Sequence, residues 1–276
     1  MDESIWFLSD VQFRAFAAPV YRYLRQNPRR RRRRRKLTVA DLLRMFLLST
    51  KQNQMQCLLA ERFRISQSSV VRALSYVRVL VCEVFGRDIG APEGLKELID
   101  ELLAAGGGQG VALVDGTIVP LGSSAIDREN YSGKVRRVGK NLQVITDGNG
   151  KLLAVSVPIP GRTHDKLAFD LSGFEKHLVR DGLTAIGDRG YEGSKLKTPC
   201  KWYKHKAFTL WDWAENRALS TIRNAVERAI AHLKALSVLR TGIRTRATDR
   251  DQVVRAIIVS AVALFLFRQN WRLEHP

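Results

Sequence analysis

Apolar positions recur at helical spacing through the first third of the chain and give way to β-rich runs in the middle. From Met1 to Asn27, Ile5, Phe7, Leu8, Val11, Phe16, Val20 and Leu24 return at helical intervals, which predicts an amphipathic helical segment closed by Pro28. Leu37 to Val81 divides into three helical stretches. Thr38 caps the first, Met55 to Phe63 makes the second, and Gln67 to Val77 makes the third, with Ser66 as its N-cap. The texture then changes around "GAPEG" and "AAGGGQG", which read as loop. "VALVD" (Val111 to Asp115), "NLQVITD" (Asn141 to Asp147) and "LLAVSVPI" (Leu152 to Ile159) are rich in β-branched residues, and "DGNG" between the last two signals a hairpin. A helix capped by Thr163 runs through Ala168 and Phe169, and a short strand, "LTAIGD" (Leu183 to Asp188), follows. In "TIRNAVERAIAHLK" (Thr221 to Lys234), Ile222, Val226, Ile230 and Leu233 share one stripe of a helix at about 100° per residue, and Arg223, Glu227 and Lys234 form a second stripe along its border. A glutamate at that border is expected to be half-buried. Strand, hairpin, helix, strand, helix defines a mixed α/β layer architecture, preceded by an all-α region.

Composition narrows the partners. The chain has 276 residues, 45% of them hydrophobic, enough for one large domain and a small accessory domain. Lys and Arg number 46 against 27 Asp and Glu, a formal charge of +19, and the pI is near 10.4. Such a balance points to a polyanion, with nucleic acid the first choice. Neither a long basic amphipathic helix nor a lipidation motif supports a membrane surface, and "AIIVSAVALFLF" (Ala256 to Phe267) is too short to span a bilayer and reads as a buried helix. Cys57, Cys82 and Cys200 are too widely spaced for a disulfide framework or a Cys/His zinc site, and they fit a reducing compartment. The N-terminus lacks the continuous apolar core of a signal peptide, so a cytoplasmic location is expected, or a nuclear one in a eukaryotic host.

Four regions follow from these patterns: a helical segment over 1–28, an arginine-rich linker over 29–36, a three-helix region over 37–90 and an α/β region over 105–276. The block "RRRRRRRK" (Arg29 to Lys36) repels itself into an open tether, and as a DNA contact it makes binding steeply salt-dependent. The tight turn before Gln67 and the polar, basic start of the next helix have the outline of a helix-turn-helix. In that reading Gln67, Ser68, Ser69 and Arg72 face bases or phosphates, while the same pattern also fits an ordinary three-helix packing unit.

Candidate chemistry lies in the carboxylates. Asp115 closes the first strand and Asp188 the fourth, and side chains at the carboxyl ends of adjacent strands of an open α/β sheet converge on one crevice. A helix packed across that sheet brings Glu227 to the pair. Three crowded carboxylates repel one another unless a cation neutralises them, and an all-oxygen set favours Mg²⁺ or Mn²⁺ over zinc or copper. Two such ions about 3.5–4 Å apart would serve phosphodiester cleavage or transfer.

Several ordered motifs carry a family resemblance: "VDGT", "YSGK", "NLQVITDGNGKLLAVS", "PGRTHD", "GDRGYEG", and the arginine, glutamate and lysine of "RNAVERAIAHLK". Together they resemble the DDE transposases of the IS5 group, kin to the Harbinger-type nucleases, over Leu37 to the C-terminus. The Y-(2)-R-(3)-E-(6)-K signature of that group matches at Arg223, Glu227 and Lys234, whereas Ser220 stands at the tyrosine position. Val135 and Val138 stand where related bacterial sequences often have histidines. The resemblance implies an RNase H-like mixed sheet flanked by helices, a catalytic and metal-binding triad of Asp115, Asp188 and Glu227, and DNA contacts from Arg223 and Lys234. It also implies cutting and joining of double-stranded DNA at transposon ends, with target DNA as the second substrate and a homodimer to bring two ends together. Two readings from other classes stand beside it: a transposase-derived DNA-binding protein without cleavage, and a basic RNA-binding or chromatin-packing protein.

The remaining candidates read as structural. Asp147 suits turn chemistry, and Asp165 suits the favourable place of an acid at a helix start, with His164 before it, while "THD", which recurs in the family resembled, also fits the border of the active site. Glu192 and Glu215 lack the flanks of Glu227. "KLKTPCKWYKHKAF" (Lys195 to Phe208) mixes lysines with aromatic rings and fits either base stacking or a solvated loop, and "RTGIRTR" (Arg240 to Arg246) fits a phosphate-contacting loop.

Overall fold

Reciprocal caps decide where the first helices begin. The computed structural model describes residues 7–28, 36–86, 89–122, 127–201, 209–244 and 250–275. Ser9 and Gln12 exchange hydrogen bonds at the start of α1 (Asp10–Gln26), Thr38 and Asp41 do the same for α2 (Val39–Lys51), and Ser66 accepts from Ser69 N–H at the start of the helix that opens at Gln67. Between these lie α3 (Gln56–Arg62) and a turn in which Arg64 takes a left-handed φ of 51°; α4 (Gln67–Phe85) follows. Next come α5 (Pro92–Ala105), β1 (Gly110–Gly122), β2 (Tyr131–Ser132), β3 (Arg137–Asp147), β4 (Leu152–Val155) and β5 (Ile159–Pro160). The chain continues through α6 (Asp165–Ser172), α7 (Glu175–Leu178), β6 (Leu183–Ile186), α8 (Leu210–Leu233), α9 (Ser237–Thr241) and α10 (Arg250–Glu274).

Two compact units divide the chain: Met1–Arg87 with Leu233–Pro276, and Asp88–His232. By this division the stretch from Leu233 onward falls with the N-terminal helices, whereas the linear reading groups it with 105–276. In the helical unit α10 packs along α4, burying Val254, Ile257, Ile258 and Leu264, because an apolar run of that length needs a helical surface to cover it. Phe16 stacks on Phe85 at 4.7 Å and meets Phe267 edge-on at 5.1 Å, which ties α1, α4 and α10 together. No helix among the described residues is long and apolar enough to cross a membrane.

In the other unit β1 is the hinge of a mixed sheet whose strands run in the order β2-β3-β1-β6, with β4 and β5 also on β3. β1 pairs antiparallel with β3, Asp115 opposite Val144, and parallel with β6, Leu113 opposite Ile186. Leu95 and Ile99 of α5, Phe169 of α6, Phe174 and Tyr191 share a core with Val114 and Ile145 of the sheet. The β3–β4 hairpin forms at "DGNG", where Asp147 Oδ1 accepts from Asn149 and Lys151 N–H. At its tip Gly150 (φ 90°) lies so close to α8 that a Cβ there would sit 2.9 Å from the Ala225 carbonyl oxygen.

Several elements differ from the sequence reading. β1 continues past Asp115 to Gly122, so Asp115 is inside a strand and not at its end. Leu152 to Ile159 is two short strands, since Ser156 turns its hydroxyl to Gln143 N–H and Val157 C=O and interrupts the ladder. His164, not Thr163, is the N-cap of α6, and α5 occupies ground read as loop. α8 begins at Leu210 behind a Thr209–Asp212 cap. Its buried face is Leu219, Ala225, Val226, Ala229 and Leu233, and Ile222, 40% exposed, lies off it. The Arg29–Arg35 run, Trp202, Tyr203 and Phe208, and Arg246 lie outside the described residues.

Candidate active site

Parallel pairing of β1 and β6 puts two aspartates level. The last paired residues are Leu113 and Ile186, and two residues further on each chain carries an aspartate, Asp115 and Asp188. Side chains two apart on a strand point to the same face, so the register itself sets the pair. Asp115 Oδ1 accepts from Gly116 N–H at 2.8 Å, and Asp188 Oδ1 from Gly190 N–H at 2.7 Å as the chain turns into the 3₁₀ segment Arg189–Tyr191. Burial pushes the Asp115 carboxyl up to about 6. The Arg223 guanidinium opposes that rise, and the charge of Asp188 adds to it.

Arg223 reaches the pair from α8. Its Nη2 lies 4.0 Å from Asp115 Oδ2 and 3.9 Å from Glu227 Oε1. The Arg223 and Asp115 side chains are 15% and 16% exposed, whereas that of Glu227 is 56% exposed. Glu227 is therefore not half-buried: it lies on the outer side of α8, with Arg223 between it and Asp115. Lys234 follows the last residue of α8 and falls in the helical unit. Of the residues placed at the start of α4, Gln67, Ser68 and Arg72 are exposed, and Arg72 donates to Ser69 Oγ at 3.1 Å.

Asp165, read from sequence as a helix-start acid, stands inside this site. Its Oδ1 accepts from Asn141 Nδ2 at 3.1 Å and its Oδ2 from Lys134 Nζ at 3.0 Å. Room for it exists because two neighbours lack side chains. A Cβ on Gly116 would meet Asp165 Oδ1 at 2.6 Å, and one on Gly190 would meet Asp188 Oδ1 at 2.8 Å and Asp165 Oδ2 at 3.4 Å. Beneath it runs a buried polar chain. Tyr191 O–H donates to Gln143 Oε1 at 2.7 Å, and Gln143 Nε2 donates to Asn141 Oδ1 at 3.0 Å. Burial, with the charges of Asp165, Asp115 and Asp188, raises the Tyr191 pKa and keeps the phenol a donor. Burial works against the Lys134 charge, but the hydrogen bond and charge of Asp165, with Asp188 and Asp115 behind, outweigh it and raise the lysine's pKa. The available sequence signal was the pairing of "YSGK" with "THD", whose polar residues the hairpin order of the strands folds together.

The other acids have local duties. Glu215 pairs with Lys197 at 2.6 Å, Asp147 organises its turn, and His164 caps α6 without a side-chain bond. The all-oxygen chemistry of Asp115 and Asp188, and the cost of ionising Asp115 in their company, fit a divalent cation at that pair. Among the described residues, however, no three His, Cys, Asp or Glu side chains gather closely enough to form a complete metal site. The fit is that of a pair, with Glu227 outside it.

A mixed sheet that sets Asp115, inside β1, beside Asp188, two residues past the end of β6, with Arg223 facing them, defines a carboxylate-based site. The family model described as DDE superfamily endonuclease matches residues 114–259, just over half of the chain, and the protein belongs to that family. Nuclease is accordingly its enzyme class, and DNA its substrate class. No curated protein and no solved structure matches the chain.

Proposed function

We propose that the protein is a DNA transposase of the IS5 group, which binds the terminal inverted repeats of its element and cuts and joins DNA there. The level pair Asp115 and Asp188, faced by Arg223, carries this reading within an endonuclease family. Asp115 and Asp188 would hold Mg²⁺ or Mn²⁺, with Glu227 as the third arm once Arg223 turns to a DNA phosphate. Bound there as a pair, such ions supply an activated water or 3′-hydroxyl and stabilise the leaving oxygen. Arg223 neutralises the buried carboxylates until DNA arrives and then offers its guanidinium to a phosphate. Gly116 and Gly190 leave room for the Asp165 carboxylate to stand beside the aspartate pair.

Recognition falls to α3 and α4 read as a helix-turn-helix, with Gln67, Ser68, Ser69 and Arg72 on the exposed start of α4. Lys234 and the +19 charge of the chain supply phosphate contacts, and two copies bring two ends together. The working place is the nucleoid of a bacterial host or the nucleus of a eukaryotic one.

A second reading has its own observation. Glu227 is 56% exposed and turned to Arg223, which suits a transposase-derived DNA-binding protein that no longer cleaves. Strand cleavage of a labelled end with Mg²⁺ or Mn²⁺, at matched DNA occupancy, separates the two. Cutting by wild type, abolished in Asp188→Asn and Glu227→Gln while binding persists, supports the transposase. Binding without cutting by all three favours the second reading, and equal cutting by wild type and Glu227→Gln removes Glu227 from the triad.

A further inference from the structure

Lys134 lies in the turn between β2 and β3, and its side chain is 64% exposed. A solvent-facing lysine in a turn ordinarily samples many positions, and an ion pair contributes little to holding it. Here the acceptor is fixed. Asp165 is 15% exposed and both of its oxygens are committed, Oδ1 to Asn141 and Oδ2 to Lys134. Asn141 is held by Gln143, and Gln143 by Tyr191, three side chains that are at most 2% exposed. Tyr191 closes the 3₁₀ turn that starts from Asp188. One buried chain thus couples the loop of the second aspartate to the carboxylate that carries the lysine.

The position of that carboxylate matters as much as its rigidity. It lies against Gly116, next to Asp115, and against Gly190, two residues after Asp188. The ammonium it holds is therefore presented beside the aspartate pair, whose charges act on it. For packing alone, a buried three-residue polar chain is a costly way to fix an exposed lysine, since apolar side chains of the same shape would serve the core as well.

We propose that Lys134 is a phosphate-binding residue of this site, gripping a non-bridging oxygen of the DNA phosphodiester, and that Asp165 is the positioning residue that presents it. The inference rests on the nuclease reading of the Asp115–Asp188 pair. Nothing covalent happens at Lys134: it donates hydrogen bonds to the phosphate and leaves Asp165 in place as its anchor.

The test uses the full chain with Lys134→Ala, Lys134→Arg and Asp165→Asn, and two readouts. First, binding of double-stranded DNA is measured without metal between about 50 and 200 mM salt. Loss of one phosphate contact in Lys134→Ala lowers the slope of log Kd against log salt by about 0.9. Lys134→Arg keeps the slope, and Asp165→Asn keeps it too but binds more weakly at each salt concentration. Second, in Mg²⁺-dependent cleavage, Lys134→Ala and Asp165→Asn lower kcat by about 10²-fold with a smaller rise in KM, and Lys134→Arg restores most of the rate. An unchanged slope in Lys134→Ala overturns the phosphate contact, whether or not the protein cuts. Unchanged binding and kcat in Asp165→Asn overturn its positioning role. If wild type cuts no DNA at all, the nuclease reading fails, and the salt slopes alone still decide on Lys134.

Discussion

Arg223 Nη2 lies 4.0 Å from Asp115 Oδ2, and this contact joins α8 to the central strand of the sheet. Both side chains are largely buried, and the guanidinium opposes the rise that burial causes in the Asp115 pKa. Replacing Arg223 with methionine leaves Asp115 without its cation. We expect a loss of about 1–3 kcal/mol at pH 7.5, shrinking near pH 5, where the carboxyl is protonated. Urea denaturation at the two pH values checks this, and an equal loss at both would show that the pair does not carry the effect.

Asp115 itself makes the metal-free protein pH-sensitive. Its folded-state pKa, about 6, is raised above the 3.8 of an unperturbed carboxyl, so the unfolded chain gives up this proton first. The stability that this group contributes is complete below about pH 4 and is lost as pH rises through about 6. Asp115→Asn should therefore match wild type near pH 4 and exceed it by about 1–3 kcal/mol at pH 7.5 without metal. Melting curves across that range decide the matter, and added Mn²⁺ should close the gap by stabilising wild type alone.

Gly150 lets the hairpin tip touch α8. Alanine there must hold φ near 90° with its Cβ 2.9 Å from the Ala225 carbonyl oxygen. A drop of about 1–3 kcal/mol follows from backbone strain and the clash. Thermal unfolding of Gly150→Ala measures it, and an unchanged Tm would mean that the hairpin and α8 part without cost.

Tyr191→Phe removes one hydroxyl from a fully buried chain. The ring still meets Phe169 edge-on, centroids 5.6 Å apart, but Gln143 Oε1 loses its donor. The expected destabilisation is about 1–3 kcal/mol. A double-mutant cycle with Gln143→Leu should show strong coupling, and additive losses would mean that the hydroxyl acts elsewhere.

Local chemistry alone determined much of this protein. Thr38 and Ser66 cap helices where a reader of the chain would place them, "DGNG" turns a hairpin, and the last apolar run forms a buried helix. Each of these is decided within a few residues, by a cap, a turn or a periodicity. The family motifs around Asp115 and Asp188 were legible for the same reason, since they are short and contiguous. The helix α5 has Leu95 and Ile99 at one-turn spacing, but it lies between glycine-rich stretches that carry the local signature of loop.

Tertiary structure decided what a strand end, a border stripe and a helix-start acid finally do. Asp115 and Asp188 are level only because β1 and β6 pair in parallel with Leu113 opposite Ile186, a register no local pattern states. Glu227 sits beside an apolar stripe in projection, yet α8 buries its alanines instead of Ile222, and that rotation carries the glutamate outward. Asp165 has one oxygen for a strand residue 24 positions away and one for a turn residue 31 positions away, so its second role exists only after β3, α6 and the Lys134 turn have packed. Spacing along a chain sets which residues share a face, but which face is buried depends on partners that the local sequence does not contain.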